Sequence, residues 1–235
     1  MAEVIVHQLP GAWGLPSISP FCLKLDAYLR LVGVPFRTVV DPTPFKGPKG
    51  KLPFIEHDGQ RVGDSSLIIE YVEQRFGCDA NAGLSPAERA VARALRRLIE
   101  ENMYWAMVYN RWMVDENWNV FRDVVLGGVP AAVRLLVGPI ARRGVRRQLM
   151  GHGIGLHSQD QIAAIGCGDL RAIADFLGDK PYLMGDSPSE IDATAYGFLA
   201  NIVRVPLEGA LKQEALQHPN LLAYLERFAE RYFAR

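Results

Sequence analysis

Residues 51–66 read KLPFIEHDGQRVGDSS, and this stretch decides the fold. Asp58-Gly59 lies between two short apolar runs and is the strongest hairpin signal in the chain. Asp64 and Ser65 follow the second run and are typical of a helix start, because a short polar side chain can accept a hydrogen bond from a free backbone N–H. The stretch therefore predicts two antiparallel strands followed by a helix that covers them.

A strand, a helix and another strand are predicted before this stretch. The first strand is the apolar run from Val4 to Leu9, and the second is Phe36 to Val40. Ser19 and Pro20 begin the helix between them, since Ser is a preferred N-cap and Pro suits the first helical position. Apolar residues then recur at steps of three and four, which gives this helix one apolar face.

The tract from Asp41 to Gly50 contains three prolines. Proline lacks an N–H and disrupts a helix interior, so the tract predicts a loop between the second and third strands. The resulting order, β-α-β, loop, β-β-α, describes a small α/β sandwich whose first two strands are parallel.

The pattern after Gly77 is helical to the end of the chain. Ser85, Ser158 and Ser189 each precede an acidic residue or glutamine by three positions, which is the capping-box pattern of a helix start. The sequence therefore predicts an α/β domain over residues 1–77, a linker over 78–86 and an all-α domain over 87–235.

Composition excludes several classes of protein. The chain has 26 basic and 26 acidic residues, so its formal net charge is zero and no nucleic acid partner is expected. Cys22, Cys78 and Cys167 are spaced too widely for a disulfide framework or a zinc motif. The N-terminus lacks a secretory pattern, and the longest apolar stretch, Val124 to Ile140, contains Arg134 and is shorter than a bilayer span. These features predict a cytoplasmic protein with no membrane anchor.

Two polar clusters in the C-terminal half are interpreted as structural. His152 and His157 have only Asp160 nearby, which is too few ligands for a metal site, so no metal is expected. Four arginines within six residues indicate a solvated basic helix face rather than an anion site. They also form the one local patch that could contact a phosphate or a partner, and they are Arg142, Arg143, Arg146 and Arg147.

Four motifs, taken together, resemble the glutathione transferase superfamily. They are SPFC at 19–22, PKGKLPFI at 48–55, GDSS at 63–66 and LMGDSPSEIDA at 183–193. The pattern is most similar to the branch that contains the failed-axon-connections and metaxin-like proteins. The resemblance covers nearly the whole chain. It implies a thioredoxin-like βαβ-ββα domain that binds glutathione as co-substrate, a helical-bundle domain that holds a small-molecule electrophile, and a homodimer.

The resemblance places Ser19 opposite the sulfur of glutathione. A hydroxyl at a helix N-terminus can donate to a thiolate, and the helix dipole adds partial positive charge. Ser19 can instead act only as an N-cap, or it can serve both purposes. Cys22 stands where a CxxC redox pair has its second cysteine, but Ser19 replaces the first, so no dithiol can form. Cys22 also lies on the apolar face of its helix, which favours a buried, inert thiol.

The resemblance also implies glutathione contacts for five residues. Leu52 would present its backbone to the cysteinyl part, with a cis bond to Pro53, and Lys51 would attract the glycine carboxylate. Asp64 would pair with the γ-glutamyl ammonium, and Ser65 would hold the γ-glutamyl carboxylate at the helix start. A solvated loop lysine and a simple helix cap are the alternative interpretations. Many members of the superfamily have a helix where this chain has its proline-rich tract, so this departure implies a weaker hold on the glycine end of glutathione.

Aromatic residues are concentrated on one helix of the second domain. Tyr104, Trp105 and Tyr109 are the candidates for an electrophile pocket, because this helix faces the cleft in related folds. Aromatic residues at helical spacing also occur in ordinary cores, and that interpretation stays open.

These observations predict an enzyme that conjugates the glutathione thiolate to an apolar electrophile, with Ser19 stabilising the thiolate. A non-catalytic binding or interaction module with the same fold is the alternative. Thiol exchange by Cys22 is a third hypothesis, and the absence of an exposed first cysteine argues against it.

Overall fold

One mixed four-stranded sheet forms the N-terminal part of the computed structural model, which describes residues 3–41 and 44–234. The strands are β1 (Val4–Gln8), β2 (Phe36–Val40), β3 (Phe54–His57) and β4 (Gln60–Gly63). Their order is β2-β1-β3-β4, with β1 parallel to β2 and antiparallel to β3, and β3 antiparallel to β4. Helices α1 (Pro20–Leu31) and α2 (Ser65–Phe76) complete the predicted βαβ-ββα order, which is confirmed.

Local sequence signals account for the turns of this region. Asp58 and Gly59 both have left-handed backbone conformations, with φ of 49° and 74°, and they join His57 to Gln60 in the predicted hairpin. The proline-rich tract contains one short 3-10 turn, Pro44–Lys46, so the described part of the tract has no full helix, as predicted. Residues 42 and 43 of the tract lie outside the described residues.

The rest of the described chain is helical. A long rod begins with α3 (Pro86–Arg97), continues through a π-helical turn (Leu98–Met103) and ends as α4 (Tyr104–Trp112). The π turn interrupts the regular α-helical geometry of this rod. The remaining helices are α5 (Asp115–Val125), α6 (Ala131–His152), α7 (Gln159–Leu177), α8 (Glu190–Val203), α9 (Ala210–Leu216) and α10 (Pro219–Tyr232).

The capping boxes that begin three of these helices are present. Ser85 and Ser158 each accept from the third residue of their helix, and the side chain of that residue accepts from the cap N–H. At the start of α8, the carboxylate of Asp192 accepts from the N–H of Ser189 at 2.8 Å and from its hydroxyl at 3.1 Å. The start of α8 is thus a capping box, as the sequence predicts, and the Ser189 hydroxyl also donates to the carboxylate of Asp192.

Helix α1 is buried on all sides, which differs from the single apolar face that its sequence predicts. Every residue from Cys22 to Leu29 is buried, including Lys24 and Asp26. The cause is that α1 packs along α8 and shares one hydrophobic core with residues of β1 and β3. The approach is closest at Gly197 of α8, where an added Cβ would lie 2.7 Å from the backbone nitrogen of Lys24. Helix α1 therefore belongs to both the N-terminal core and the helical core.

Helix α6 lies at the opposite extreme, with much of its surface exposed. Arg143, Arg146 and Arg147 are exposed as expected, but the prediction of a solvated face is wrong for Arg142. Its guanidinium is half-buried and donates to the carbonyl oxygens of Trp112 and Met113 at the end of α4. This arginine attaches α6 to the long rod instead of facing water.

Among the described residues, none of the helices combines the length and apolar character needed to cross a membrane.

Candidate functional site

The register of the sheet brings three loops to one of its ends. Phe54, the first residue of β3, pairs with His7 near the end of β1 and with Gly63 at the end of β4. The loop that leads to Ser19, the residue that precedes β3 and the residue that follows β4 therefore lie at the same end. Pro53 and Asp64 occupy the last two of these places.

Ser19 is the N-cap of α1, as its position before Pro20 predicts. Its Oγ accepts from the backbone N–H of Cys22 at 3.4 Å, a long bond, and its side chain is half-buried. Cys22 has no exposed surface, and burial raises the pKa of its thiol despite the hydrogen bond with Ser19. Of the two groups, only Ser19 is accessible at the positive end of the helix.

The loop before Ser19 forms hydrogen bonds with the N-terminal part of the protein and with the helical region. Ser17 is fully buried; its hydroxyl donates to the carbonyl of Leu9 at 3.0 Å and accepts from the N–H of Ser19 at 3.3 Å. From the helical region, Arg111 donates to the carbonyl of Ile18 at 2.8 Å, and Asn201 supports Arg111 from α8. Burial lowers the pKa of Arg111 to about 10, so it stays charged near neutral pH. No sequence signal identified these residues, because their partners are about 90 positions away.

The Leu52–Pro53 bond is cis, which confirms the expectation drawn from the resemblance. Pro53 is buried, Leu52 is half-buried and the side chain of Lys51 is exposed. A Cβ added to Gly47 would lie 2.3 Å from the carbonyl oxygen of Lys51, so the proline-rich tract packs directly against this segment.

Asp64 caps α2 in an unusual backbone conformation. Its φ is 85°, a region that residues other than glycine rarely adopt, and its carboxylate accepts from the N–H groups of Ser66 at 3.0 Å and Leu67 at 3.4 Å. The carboxylate is exposed, whereas Ser65 is only 4% exposed. Ser65 is thus a buried residue in the first turn of α2, where backbone N–H groups have no partner within the helix.

A buried ion pair lies behind the start of α2. Lys24 of α1 is 2.7 Å from the carboxylate of Glu100 in the π turn, and its ammonium also donates to Ser66 at 3.2 Å. Lys24 has no exposed side-chain surface and Glu100 has 6%. Three elements that adjoin the site are joined here, and the sequence offers no local signal for the pairing.

Two of the three predicted pocket aromatics belong to a cluster that touches α1. The ring of Tyr104 packs edge-on against Phe21, two residues after Ser19, with 5.0 Å between ring centroids. Trp105 packs against Tyr104 and stacks on His152 at 4.9 Å. All three predicted aromatics are half-buried, and Tyr109 shares the side of α4 that Trp105 occupies, four residues on.

A groove of the described residues lies apart from the predicted site residues. It has a volume of about 800 Å³, runs between α1 and β2, and includes Asp26 and Arg30 in its lining but none of the predicted site residues. No cluster of three His, Cys, Asp or Glu side chains suited to a metal ion occurs within the described ranges.

Comparisons with known proteins match both halves of the chain. A model of the glutathione S-transferase N-terminal domain matches residues 20–117, and a model of the C-terminal domain matches residues 166–228. An isoprene-epoxide–glutathione S-transferase from Rhodococcus sp. (strain AD45) is 35% identical, with 97% of this chain and 99% of the relative covered.

The names of two further relatives state no reaction or substrate. Failed axon connections from Drosophila melanogaster is 30% identical, with 98% of this chain and 58% of the relative covered. Metaxin-3 from Xenopus laevis is 31% identical, with 94% of this chain and 74% of the relative covered.

Solved structures agree on the fold. Glutathione transferase GSTFuA3 from Phanerochaete chrysosporium superposes with a TM-score of 0.69 at 16% identity, covering 100% of this chain and 99% of that one. A glutathione S-transferase from Methylobacterium radiotolerans, solved with glutathione sulfonate, gives 0.65 at 20% identity, with 98% and 92% covered. With a four-stranded thioredoxin-like sheet, a helical C-terminal region and relatives matched over nearly its whole length, this chain belongs to the glutathione S-transferase family.

Proposed function

We propose that this protein is an enzyme that conjugates the thiolate of glutathione to an apolar electrophile. The observation that carries the proposal is the meeting of the Ser19 loop, the cis Leu52–Pro53 bond and the Asp64 cap at one end of the sheet. The Rhodococcus relative, whose name states an isoprene epoxide and glutathione, supports an epoxide as the first electrophile to test.

Ser19 would stabilise the ionised sulfur. Its half-buried hydroxyl lies at the N-terminus of α1, where it can donate to a thiolate while the helix dipole contributes partial positive charge. Lowering the pKa of the bound thiol by one unit requires about 1.4 kcal/mol of preferential stabilisation, which one charge-assisted hydrogen bond can supply. The thiol proton leaves to solvent.

The charges around Ser19 fit the ends of the tripeptide. The exposed carboxylate of Asp64 would receive the γ-glutamyl ammonium, and the N–H of Ser65 would receive the γ-glutamyl carboxylate at the start of α2. Leu52 would pair with the cysteinyl backbone, and the exposed ammonium of Lys51 would attract the glycine carboxylate.

The aromatic cluster would hold the electrophile against the sulfur. Tyr104 lies against Phe21 and beside Trp105, so its ring connects the Ser19 helix with the aromatic side of α4, where Tyr109 extends the apolar surface. With an epoxide, the thiolate forms a C–S bond as a ring C–O bond breaks, and the resulting alkoxide takes a proton. Burial raises the pKa of Tyr104, so its hydroxyl is protonated near neutral pH and can donate that proton, regaining one from water.

A non-catalytic binding module is the second candidate. The 3-10 turn Pro44–Lys46, in place of a full helix beside Lys51, favours weaker capture of the glycine end. The likeness to Failed axon connections and Metaxin-3 supports the same candidate. Thiol exchange by Cys22 is less well supported, because its sulfur is buried and the pKa of the thiol is raised.

The test compares Ser19→Ala with the matched variant Cys22→Ala, one helical turn away. Glutathione binding is measured by calorimetry, the pKa of the bound thiol by its ultraviolet absorbance, and turnover with isoprene epoxide. We expect Ser19→Ala to raise the thiol pKa by about one unit and to lower turnover about tenfold, while Cys22→Ala changes neither. The reverse pattern would support thiol exchange, and binding without turnover in the parent would support the module.

The proposal also includes a homodimer and a cytoplasmic location. The native mass in solution tests the first, and fractionation of the producing cells tests the second.

A further inference from the structure

The outward face of α6 concentrates the exposed apolar surface of the described chain. Six of the twelve exposed large hydrophobic side chains lie between residues 131 and 156. Leu135, Leu136 and Ile140 are 77%, 69% and 70% exposed, so most of the surface of each residue faces water. A soluble surface usually keeps such residues scattered, so a contiguous group marks an interaction surface.

Three arginines continue the same face toward the C-terminus of α6. At 100° per residue, Arg143, Arg146 and Arg147 fall within the arc that holds Leu135 and Ile140. All three are exposed, and none forms an ion pair with another described residue. The face is thus apolar over its first turns and cationic over its last turns.

The charge of this region is opposite to that of the rest of the chain. Residues 118–157 contain six arginines and one acidic residue, Asp123, a net charge of +5 in a chain whose total is zero. The remaining residues therefore carry −5. This segment also falls between the two family-model matches, which end at 117 and resume at 166. Its surface is a feature of this chain that the domain models do not describe.

The charge pattern determines what can cover the face. If the α6 helices of two copies paired in parallel, arginines would meet arginines. If they paired antiparallel, arginines would meet leucines, so neither arrangement gives the arginines a negative partner. The partner must offer apolar groups beside negative charge. A docked peptide would need a groove, yet exposures near 70% place these side chains on a ridge. An anionic bilayer surface has acyl chains beside phosphates and is broad enough for a ridge.

We propose that the outward face of α6 binds peripherally to anionic membrane surfaces. Leu135, Leu136 and Ile140 enter the interface between headgroups and acyl chains, and the three arginines contact lipid phosphates. The attachment is reversible and leaves the helix lying on the membrane, because α6 stays fixed to the long rod through Arg142.

The test is co-sedimentation of the full chain with phosphatidylcholine vesicles, with and without phosphatidylglycerol. We expect binding only to the anionic vesicles, weakened when salt is raised from about 50 to about 300 mM. Replacing Arg143, Arg146 and Arg147 with Gln should lower the partition coefficient at least about tenfold. Replacing Leu135, Leu136 and Ile140 with Gln should lower it similarly while the salt dependence remains.

A control triple removes the same charge elsewhere, at three exposed arginines. They are Arg89, Arg97 and Arg171, each replaced with Gln. Unchanged thermal midpoints establish that the variants fold. Equal loss of vesicle binding in the control triple, or no preference for anionic vesicles, overturns the proposal. A dimer that the leucine and isoleucine replacements dissociate, in a parent that binds no vesicles, assigns the face to self-association instead and also overturns it.

Discussion

Helices α1 and α6 lie in opposite environments. Helix α1 carries a lysine and an aspartate in its middle, and both are buried. Helix α6 carries two adjacent leucines and an isoleucine, and all three face water. These particular residues are exceptions to the usual pattern, in which lysine and aspartate face water and leucine and isoleucine are buried. The difference follows from the elements that flank each helix. Helix α1 packs along α8 and shares a core with β1 and β3, whereas much of the surface of α6 is exposed.

The comparison also shows how a buried charge is tolerated. Lys24 is compensated by Glu100, and Asp26 by Arg30 of the next turn. Removing one partner of such a pair leaves an uncompensated charge in a dry environment, which is far costlier than loss of an exposed pair.

The largest effect is expected at Lys24. Lys24→Met should lower the free energy of unfolding by about 3–5 kcal/mol, because the buried Glu100 carboxylate loses its counter-charge. Adding Glu100→Leu should recover most of this loss. Arg97→Met, which opens the exposed Arg97–Glu101 pair, should cost under about 1 kcal/mol. Urea unfolding measures all four proteins, and equal costs at Lys24 and Arg97 would contradict the contrast between buried and exposed charges.

Smaller effects on stability, opposite in sign to each other, are expected when two helical glycines are replaced. Gly197→Ala should destabilise by about 1–3 kcal/mol, since its Cβ would meet the backbone of Lys24 and Pro20 at under 3 Å. Gly144→Ala on α6 has no such neighbour within 4 Å and should stabilise by about 0.5–1 kcal/mol through helix propensity. Thermal midpoints check both signs. A stabilising Gly197→Ala would show that α1 and α8 can move apart.

The smallest effect is expected at a carboxylate that is neither fully buried nor fully exposed. Asp169 of α7 is half-buried, and burial raises its pKa to about 6 even though Asn102 donates to it at 2.8 Å. Between pH 4 and 6 the unfolded chain ionises first, so the folded state binds more protons and stability falls as pH rises. Asp169→Asn should match the parent at pH 4 and exceed it at pH 7 by about 1 kcal/mol, a figure reduced for solvent access. A pH series of urea midpoints measures this, and parallel curves would refute it.

Local chemistry accounts for the part of the fold that the sequence predicts. Ser19-Pro20, Asp58-Gly59, Asp64 and Ser85 each act on neighbours within four residues, and each lies at the predicted boundary. The cis Leu52–Pro53 bond followed from family resemblance and is also present. In the candidate site, the same short-range signals located Ser19 and Asp64.

Long-range contacts account for the part that the sequence did not predict. Lys24 lies 76 positions from Glu100, and Arg111 lies 93 positions from Ile18. Neither pairing leaves a periodic or capping signal, because each depends on how the N-terminal region and the long rod come together in space. Arg142 was misjudged for the same reason, since its carbonyl partners lie about 30 positions away in a different helix.

The bond from Arg111 to the carbonyl of Ile18 has a consequence for recombination between relatives. Protein engineers who exchange the helical region of one family member for another would treat residues 1–77 as a portable reaction centre. In this protein, Arg111 and Asn201 of the helical region hold the peptide that precedes Ser19. A chimaera would therefore inherit the Ser19 hydroxyl from one parent and the groups that orient the loop before it from the other.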